Sequence, residues 1–376
     1  MTPDFDALTL PELRARTSFR WRQFAPDVLP AAVAEMDVPL AEPVTRVLLD
    51  AVRAGDTGYA APGDLGRAFA GFAMRRWDWT IEPAQCWPMG DVMVGVAQAL
   101  RVLTAPGDGV VVCPPVYHPF FEVLPDIGRV PAPVPLAGDG SLDLPGIAAA
   151  LDAGARAVLL SSPHNPTGRV WKQQELDALD EVVRERDAIV VADEVHAPLT
   201  LPGATFTPYL RDRERHGVAV VSASKAFNLA GLKAALVVAG SPRVQQRLGT
   251  MPTEAPFRCG NLGVLASVAA FDDGDPWLDA LVQHLAGNRA LLAELLADRL
   301  PQVRWTPPQA SYLAWLDCRA VTDDPAGLFL DRGRVGLAPG PDFGEPGRGF
   351  ARLTYGTTRA VLEESVARMA AAVARA

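Results

Sequence analysis

Apolar residues in this chain concentrate in short runs, at 109–113, 156–161, 188–192, 217–222 and 234–239. A run of five or six such residues without polar alternation predicts a strand covered on both faces. Between the runs, stretches such as Gln173 to Arg186 place apolar residues at helical spacing. Strand–helix alternation of this kind predicts an α/β fold with a mainly parallel central sheet and helices on both faces. The last part of the chain reads differently. Pro276 to Leu300 predicts a long helix, Ser311 to Leu316 a strand, and Thr358 to Ala376 an amphipathic terminal helix. The expected division is an N-terminal segment, 1–45, packing with a small α+β domain, 261–376, and a large domain, 46–260.

In such sheets ligands gather at the carboxyl ends of the strands, so the residues that close each apolar run are the first candidates for chemistry. Gly217 to Val221 is followed by Ser222-Ala-Ser224-Lys225-Ala-Phe-Asn-Leu-Ala-Gly-Leu-Lys233. A lysine at a buried strand end, beside other cations, has a lowered pKa and a nucleophilic amine, suited to carrying an aldehyde cofactor as a Schiff base. Ser222, Ser224 and Lys233 suit an anionic group such as a phosphate. The alternative is a lysine that caps the strand and solvates a loop. Ala188 to Ala192 runs into Asp193-Glu194-Val195-His196. A carboxylate there needs a cationic or hydrogen-bonding partner, and a protonated pyridine nitrogen is one; a helix cap or an ion pair is another. His196 reads as a cofactor contact or as a satisfied core histidine. Ala157 to Leu160 leads into Ser161-Ser-Pro-His164-Asn165-Pro-Thr-Gly168, a strand-to-helix turn that can aim the Asn165 amide at a phenolate oxygen.

The ordered set Pro-His-Asn-Pro-Thr-Gly, Asp-Glu-Val-His and Ser-Ala-Ser-Lys-Ala-Phe-Asn-Leu-Ala-Gly-Leu-Lys resembles the fold-type I pyridoxal phosphate enzymes. Within them it is similar to the cystathionine β-lyase (C–S lyase) branch of the class I/II aminotransferase group. The resemblance runs nearly end to end, through Trp21 to Phe24, Ala34 to Asp37, Gly58-Tyr59, Pro114 to Phe121, Ser311 to Asp317 and Ala351 to Leu353. It implies pyridoxal 5'-phosphate bound through Lys225, with Asp193 on the ring nitrogen and Asn165 and His196 near the phenolate. Tyr117 would stack on the ring. Gly95, Val96 and Ala97, read as the start of an apolar helix, would offer backbone N–H groups to the phosphate. Ser222, Ser224 and Lys233 join them, Lys233 where many aminotransferases carry arginine. Arg352 would grip the substrate carboxylate with its planar fork, with Asn165 and Tyr59 also at the substrate. Tyr59 would reach the neighbouring subunit's phosphate, which implies a homodimer with shared sites. The proton for a leaving sulfur would come from Lys225 or from an acid near Tyr59 or Tyr117. Each of these side chains also has an ordinary reading: a plain helix start at Gly95, core aromatics at Tyr117 and Tyr59, and an ion pair at Arg352.

Two departures bear on the substrate. Relatives carry tryptophan in the segment that here reads Ala31-Ala32-Val33-Ala34-Glu35, and Arg352-Leu353 is followed by Thr354-Tyr355-Gly356 in place of Asn-Phe-Ala. Loss of an indole at the substrate mouth is expected to reshape the pocket.

Composition narrows the function classes. The 376 residues carry a net charge of −9, which offers nucleic acid or anionic membrane no electrostatic attraction. No uncharged apolar stretch reaches membrane-spanning length, and Met1 to Leu8 is polar and acidic rather than a leader; a cytoplasmic enzyme is expected. Cys86, Cys113, Cys259 and Cys318 show no metal-ligand spacing, and no metal is expected. The expected activity is β-elimination at carbon–sulfur bonds of cystathionine or a related cysteine S-conjugate. The alternative is an aminotransferase or another reaction at Cα, such as decarboxylative deamination. A third reading is a cofactor-binding regulator joined to a DNA-binding module. The absence of a helix-turn-helix segment and the retained Lys225 count against it.

Overall fold

In the computed structural model, residues 3–211 and 215–375 are described. A short strand, β1 (Leu29–Pro30), precedes the main sheet. That sheet contains β2 (Cys86–Met89), β3 (Gly109–Val112), β4 (Val130–Pro133), β5 (Ala155–Ser161), β6 (Ile189–Asp193), β7 (Gly217–Val221) and β8 (Ala235–Ala239). Their spatial order is β2-β8-β7-β6-β5-β3-β4. Only β8 runs against its neighbours, pairing antiparallel with β7 and β2, so the sheet is mainly parallel as the alternation predicts. Successive side chains of each apolar run point to opposite faces. Val190, Ala192, Ala219 and Val221 enter one core, and Val191, Val218 and Val220 enter the other. Both faces are therefore dry, and every residue of β6, β7 and β8 is buried.

The two edge strands escape the sequence pattern. Cys-Trp-Pro-Met and Val-Pro-Ala-Pro each contain proline, which cannot donate to a ladder and so is tolerated only at an edge. Both lie at edges.

The C-terminal part has a four-stranded antiparallel sheet, β9 (Arg304–Trp305), β10 (Leu313–Asp317), β12 (Ala338–Pro339) and β13 (Phe350–Thr354), in the order β12-β13-β10-β9. The predicted strand at Ser311 begins two residues later. Ser311 has φ 74°, and its N–H is taken by the Leu199 carbonyl at 2.9 Å. The long helix spans Asp275–Arg299 and the terminal helix Arg359–Val373, the latter capped by the Thr358 hydroxyl. β1 pairs in parallel with β11 (Val335–Gly336), which ties the N-terminal segment to this part. We propose the division 1–45 with 261–376 against 46–260. The helix Asn261–Asp273 bridges the two, because it packs on helices Glu42–Ala54 and Gly63–Trp77. Among the described residues no helix is long and apolar enough to cross a membrane, and the four cysteines are free.

Between β1 and the helix Glu42–Ala54 the chain forms an irregular strap over the carboxyl ends of the main sheet. Its anchor is Asp37, fully buried. One carboxylate oxygen accepts Arg20 Nε and Nη2 at 3.2 and 2.9 Å, and the other accepts Trp21 Nε1 at 2.7 Å. Removing one partner of a buried pair strands the other charge, at a cost of about 3–5 kcal/mol. Asp37→Ala, which leaves the Arg20 guanidinium buried and unpaired, should lose stability of about that size in urea unfolding at neutral pH. A loss below about 1 kcal/mol would show that the pair does not anchor the strap.

Candidate active site

A cavity of about 930 Å³ opens at the carboxyl ends of β5, β6 and β7. Asn165, Asp193, His196, Tyr117, Ser222, Ser224, Lys225, Lys233 and Arg352 all line it, so nine of the candidates from distant parts of the sequence meet in one place. Adjacent parallel strands end in register, Ser161 opposite Asp193 and Asp193 opposite Val220, which is why the loops after them converge.

Lys225 lines the cavity half-buried, and its Nζ donates to the Ala34 carbonyl at 2.9 Å. Burial, and then the nearby Arg352 cation, lower its pKa from 10.5 to about 8, against the opposing pull of Glu35 and Asp193. Asp193 has the reverse problem. Burial raises it to about 6, although one oxygen accepts the Val195 N–H at 3.1 Å. A cationic ring N–H would satisfy it. His196 is held neutral, its pKa pushed down to about 3 by burial and then by Lys225 and Arg352. Its Nδ1 pairs with the Ser311 hydroxyl at 2.9 Å, and its ring meets the Tyr312 ring edge-on at 6.0 Å. Tyr117 lies half-buried on the cavity wall, its hydroxyl raised to about 12 by burial and Asp193.

Arg352 lies on central strand β13 with 5% exposure. Its Nη1 donates to Asn165 Oδ1 at 3.0 Å and its Nη2 to the Ala32 carbonyl at 2.7 Å; its Nε has no partner. The guanidinium lies 5.0 Å from the centre of the Phe343 ring. Burial lowers its pKa to about 10. Among the described residues no carboxylate is bonded to it, so a buried cation faces the cavity with neutral acceptors. Such a group is poised for an anionic ligand.

One expectation needs correction. The helix that carries Gly95, Val96 and Ala97 starts at Val92, with Asp91 as its cap. Gly95 is already a turn inside, and its N–H is taken by the Asp91 carbonyl at 2.9 Å. Glycine lets the helix pack closely there, since a Cβ would lie a tight 3.0 Å from Val220 and 3.2 Å from Val237 on the sheet. Val96 is fully buried in the core, and none of the three lines the cavity. Asp91, Val92 and Met93 do. The amides available to a phosphate are therefore those of the first turn, with Ser222, Ser224 and Lys233 around them. Tyr59, expected at a neighbouring subunit's site, is 89% exposed and does not line the cavity of its own chain.

The sequence placed Ala31 to Glu35 at the substrate mouth but did not disclose what its main chain does there. The Ala34 carbonyl accepts the Tyr312 hydroxyl at 2.9 Å as well as Lys225, and the Val33 carbonyl accepts Arg20 and Thr354. Main-chain acceptors leave no signature in side-chain patterns. Asp91 was also missed, though an aspartate three residues before a capped amide is a recognisable helix start. His164 turns away from the cavity. Its Nδ1 pairs with Thr167 Oγ1 at 2.9 Å and its ring packs on Trp171, shaping the turn that presents Asn165.

Residues 64–369 match the family model for class I and II aminotransferases. The chain belongs to that family. A Mycobacterium leprae protein provisionally named a cystathionine β-lyase is 42% identical over 98% of this chain and 98% of its own. The Bacillus subtilis cystathionine β-lyase PatB is 34% identical over 92% and 93%. The crystal structure of a Corynebacterium diphtheriae protein, provisionally described as a PLP-dependent β-cystathionase, superposes with a TM-score of 0.93 at 32% identity, covering 99% of both chains.

The donor set fits pyridoxal phosphate. A desolvated lysine amine suits its aldehyde, Asp193 its ring nitrogen, and the first-turn amides with Lys233 its phosphate. Capture of the aldehyde needs the neutral amine. The rate at which the apoprotein takes up pyridoxal phosphate should therefore climb as pH rises through about 8. A midpoint near 10.5, the value of an ordinary lysine, would contradict the desolvated setting. Asp91 opposes the phosphate. Its Oδ1 takes the Val94 N–H at 2.8 Å, and its Oδ2 holds Lys233 Nζ at 3.0 Å. Asp91→Asn keeps a capping oxygen and frees the lysine, so the cofactor dissociation constant should fall about five-fold. Absorbance titration of the apoprotein reads it, and weaker binding would mean that Asp91 helps hold the cofactor.

Proposed function

We propose that this chain is a pyridoxal phosphate-dependent carbon–sulfur β-lyase, cleaving L-cystathionine or a related cysteine S-conjugate to a thiol, pyruvate and ammonia. One observation carries the reading: a neutralisable half-buried amine, Lys225, and a buried cation without a carboxylate partner, Arg352, face the same cavity beside Asp193. The amine suits proton removal and the cation suits the α-carboxylate of an amino acid. Similarity to named β-lyases supports the choice of lyase within the family.

Bound at Lys225, the cofactor supplies an electron sink for the pair left when the Cα–H bond breaks. The chain's own residues do the rest. The Arg352 fork holds the carboxylate and thereby fixes where the Cα–H bond points. Once the substrate's own amino group takes its place, the freed Lys225 amine, whose pKa is lowered to about 8, would take the Cα proton as general base. Asp193, whose carboxylate burial leaves in want of a cationic partner, would hold a proton on the ring nitrogen. The Cβ–S bond would then break with its electron pair going to sulfur while the Cα pair forms the Cα=Cβ bond; the proton held by Lys225 is available to the departing sulfur, and water hydrolyses the released enamine to pyruvate and ammonia.

Tyr59 supports a homodimer in this reading. It stands 89% exposed, near further exposed apolar side chains in the same stretch of chain, Leu49 and Val52. A second copy that covered this face would receive Tyr59 at its own site. Four free cysteines suit a reducing compartment, and we place the enzyme in the cytoplasm.

The test is product release from purified holoenzyme given L-cystathionine, and separately S-alkyl cysteines, with no keto acid present. Pyruvate, ammonia and thiol are expected from at least one of them. Lys225→Ala should lose both pyruvate release and the cofactor's visible absorbance band, since the cavity's other lysine, Lys233, is exposed and paired with Asp91. Conversion of the cofactor to its amine form without pyruvate would overturn the lyase reading in favour of transamination.

A further inference from the structure

His118 is a cavity residue that none of this chemistry uses. It lines the cavity next to Tyr117 and stands at the start of the helix Pro119–Asp126, yet its side chain caps nothing. The imidazole lies between two aromatic rings, edge-on to Tyr117 at 5.5 Å and to Phe343 at 6.3 Å. Phe343 in turn lies under the Arg352 guanidinium, 5.0 Å from it. The main chain ties the same pieces together. The Val116 N–H donates to the Phe343 carbonyl at 2.8 Å, and the Tyr117 N–H to the Asn165 carbonyl at 3.1 Å. His118 thus joins the Tyr117 wall of the cavity to the residues packed around Arg352.

Its two nitrogens are unequally placed. Nδ1 is enclosed and has no partner among the described residues. Nε2, the distal nitrogen, is the one left open to the cavity. In a neutral imidazole one nitrogen carries a hydrogen and the other a lone pair. An enclosed N–H without an acceptor is the rarer and costlier orphan, so the lone pair belongs on Nδ1 and the hydrogen on Nε2. The ring then offers the cavity a neutral N–H donor. Other polar groups on the wall suit a developing anion less well. Asp91, Asp324 and Asp342 bring carboxylates, and Gln23 is exposed. The Tyr117 hydroxyl is the rival donor.

We propose that the His118 Nε2–H is the hydrogen-bond donor to the substrate's sulfur as the Cβ–S bond breaks. Cβ and the carboxylate share Cα, so a substrate gripped by Arg352 carries its sulfur into the space beside Phe343 that the imidazole lines. The bond's electron pair passes to sulfur while the Cα pair becomes the Cα=Cβ bond. The Nε2–H stabilises the thiolate charge and keeps its own proton; the proton that Lys225 took from Cα completes the thiol. A preorganised donor aimed at charge that develops only in the transition state is worth about 100-fold in rate. The inference rests on the β-lyase reading and names the group that lets a poor leaving group, such as an alkyl thiolate, depart.

The test compares S-ethyl-L-cysteine with β-chloro-L-alanine, whose chloride leaves without needing a donor and yields pyruvate through the same enamine. His118→Phe should lower kcat/KM about 100-fold for the thioether and less than about three-fold for the chloride. Exchange of the thioether's Cα hydrogen with deuterated water, followed by NMR, should continue in the variant, because Lys225 and Arg352 are untouched. The dissociation constant for pyridoxal phosphate, from absorbance titration of the apoprotein, should not change. A glutamine N–H reaches the place of Nε2 and an asparagine N–H that of Nδ1. His118→Gln should therefore recover thiol release to within about ten-fold of the wild type, and His118→Asn should not. Equal losses on both substrates, loss of Cα exchange, or rescue by asparagine rather than glutamine would overturn the inference. So would a loss confined to the thioether in Tyr117→Phe while His118→Phe keeps full activity. A wild type that eliminates chloride but releases no thiol from any S-alkyl cysteine or from L-cystathionine would remove the lyase reading, and the role at sulfur with it.

Discussion

Asp37 is the residue on which the site's geometry depends. Fully buried, it gathers Arg20 and Trp21 onto its two oxygens and so pins a strap that has no ladder of its own. Two further bonds hold the strap's ends, from Thr354 N–H to the Ala31 carbonyl and from Asp37 N–H to the Gly356 carbonyl, both at 2.8 Å. The strap's free carbonyls then face inward. Ala32 takes Arg352 and Ala34 takes Lys225 and Tyr312. Asn228 closes the far end, exchanging hydrogen bonds with the Met36 N–H and carbonyl at 2.9 Å each. The two cations of the site thus lean on peptide dipoles rather than on carboxylates, which keeps their positive charge available to a ligand.

That choice of partner explains the electrostatics. A carboxylate beside Arg352 would neutralise it and compete with an incoming substrate, and one bonded to Lys225 would hold the amine protonated. Carbonyl oxygens satisfy the N–H groups without doing either. The cation cluster also acts on itself: Arg352 helps to lower Lys225, and both help to keep His196 neutral. Asp193 is the counterweight. It sits at the end of a strand buried on both faces, where desolvation leaves it in want of a positive partner.

Much of this was legible in the amino-acid order. The apolar runs predicted the interior strands closely, because burial on both faces allows nothing else. The loops after β5, β6 and β7 announced themselves by Asn165, Asp193, His196 and Lys225, side chains whose chemistry is costly at a strand end unless used. The edge strands with proline were not legible, since their sequences break the apolar pattern for reasons that only an edge position excuses. The helix start was read three residues late. Gly95 drew attention as a phosphate-type glycine, whereas its hydrogen is there to let the helix touch Val220 and Val237.

The sequence by itself determined which residue types end each strand, and hence the class of chemistry, because periodicity and side-chain ionisation are local properties of the chain. The tertiary structure decided what those residues face. Arg352 meets Asn165 across 187 positions, and Lys225 meets the Ala34 carbonyl across 191. Tyr59 was left outside its own chain's cavity, and Asp324 was brought to the rim of it. Such juxtapositions, and the role of any main-chain carbonyl, arise from how layers pack. No local pattern encodes them, because every residue carries the same carbonyl and only the fold selects which ones stay unpaired.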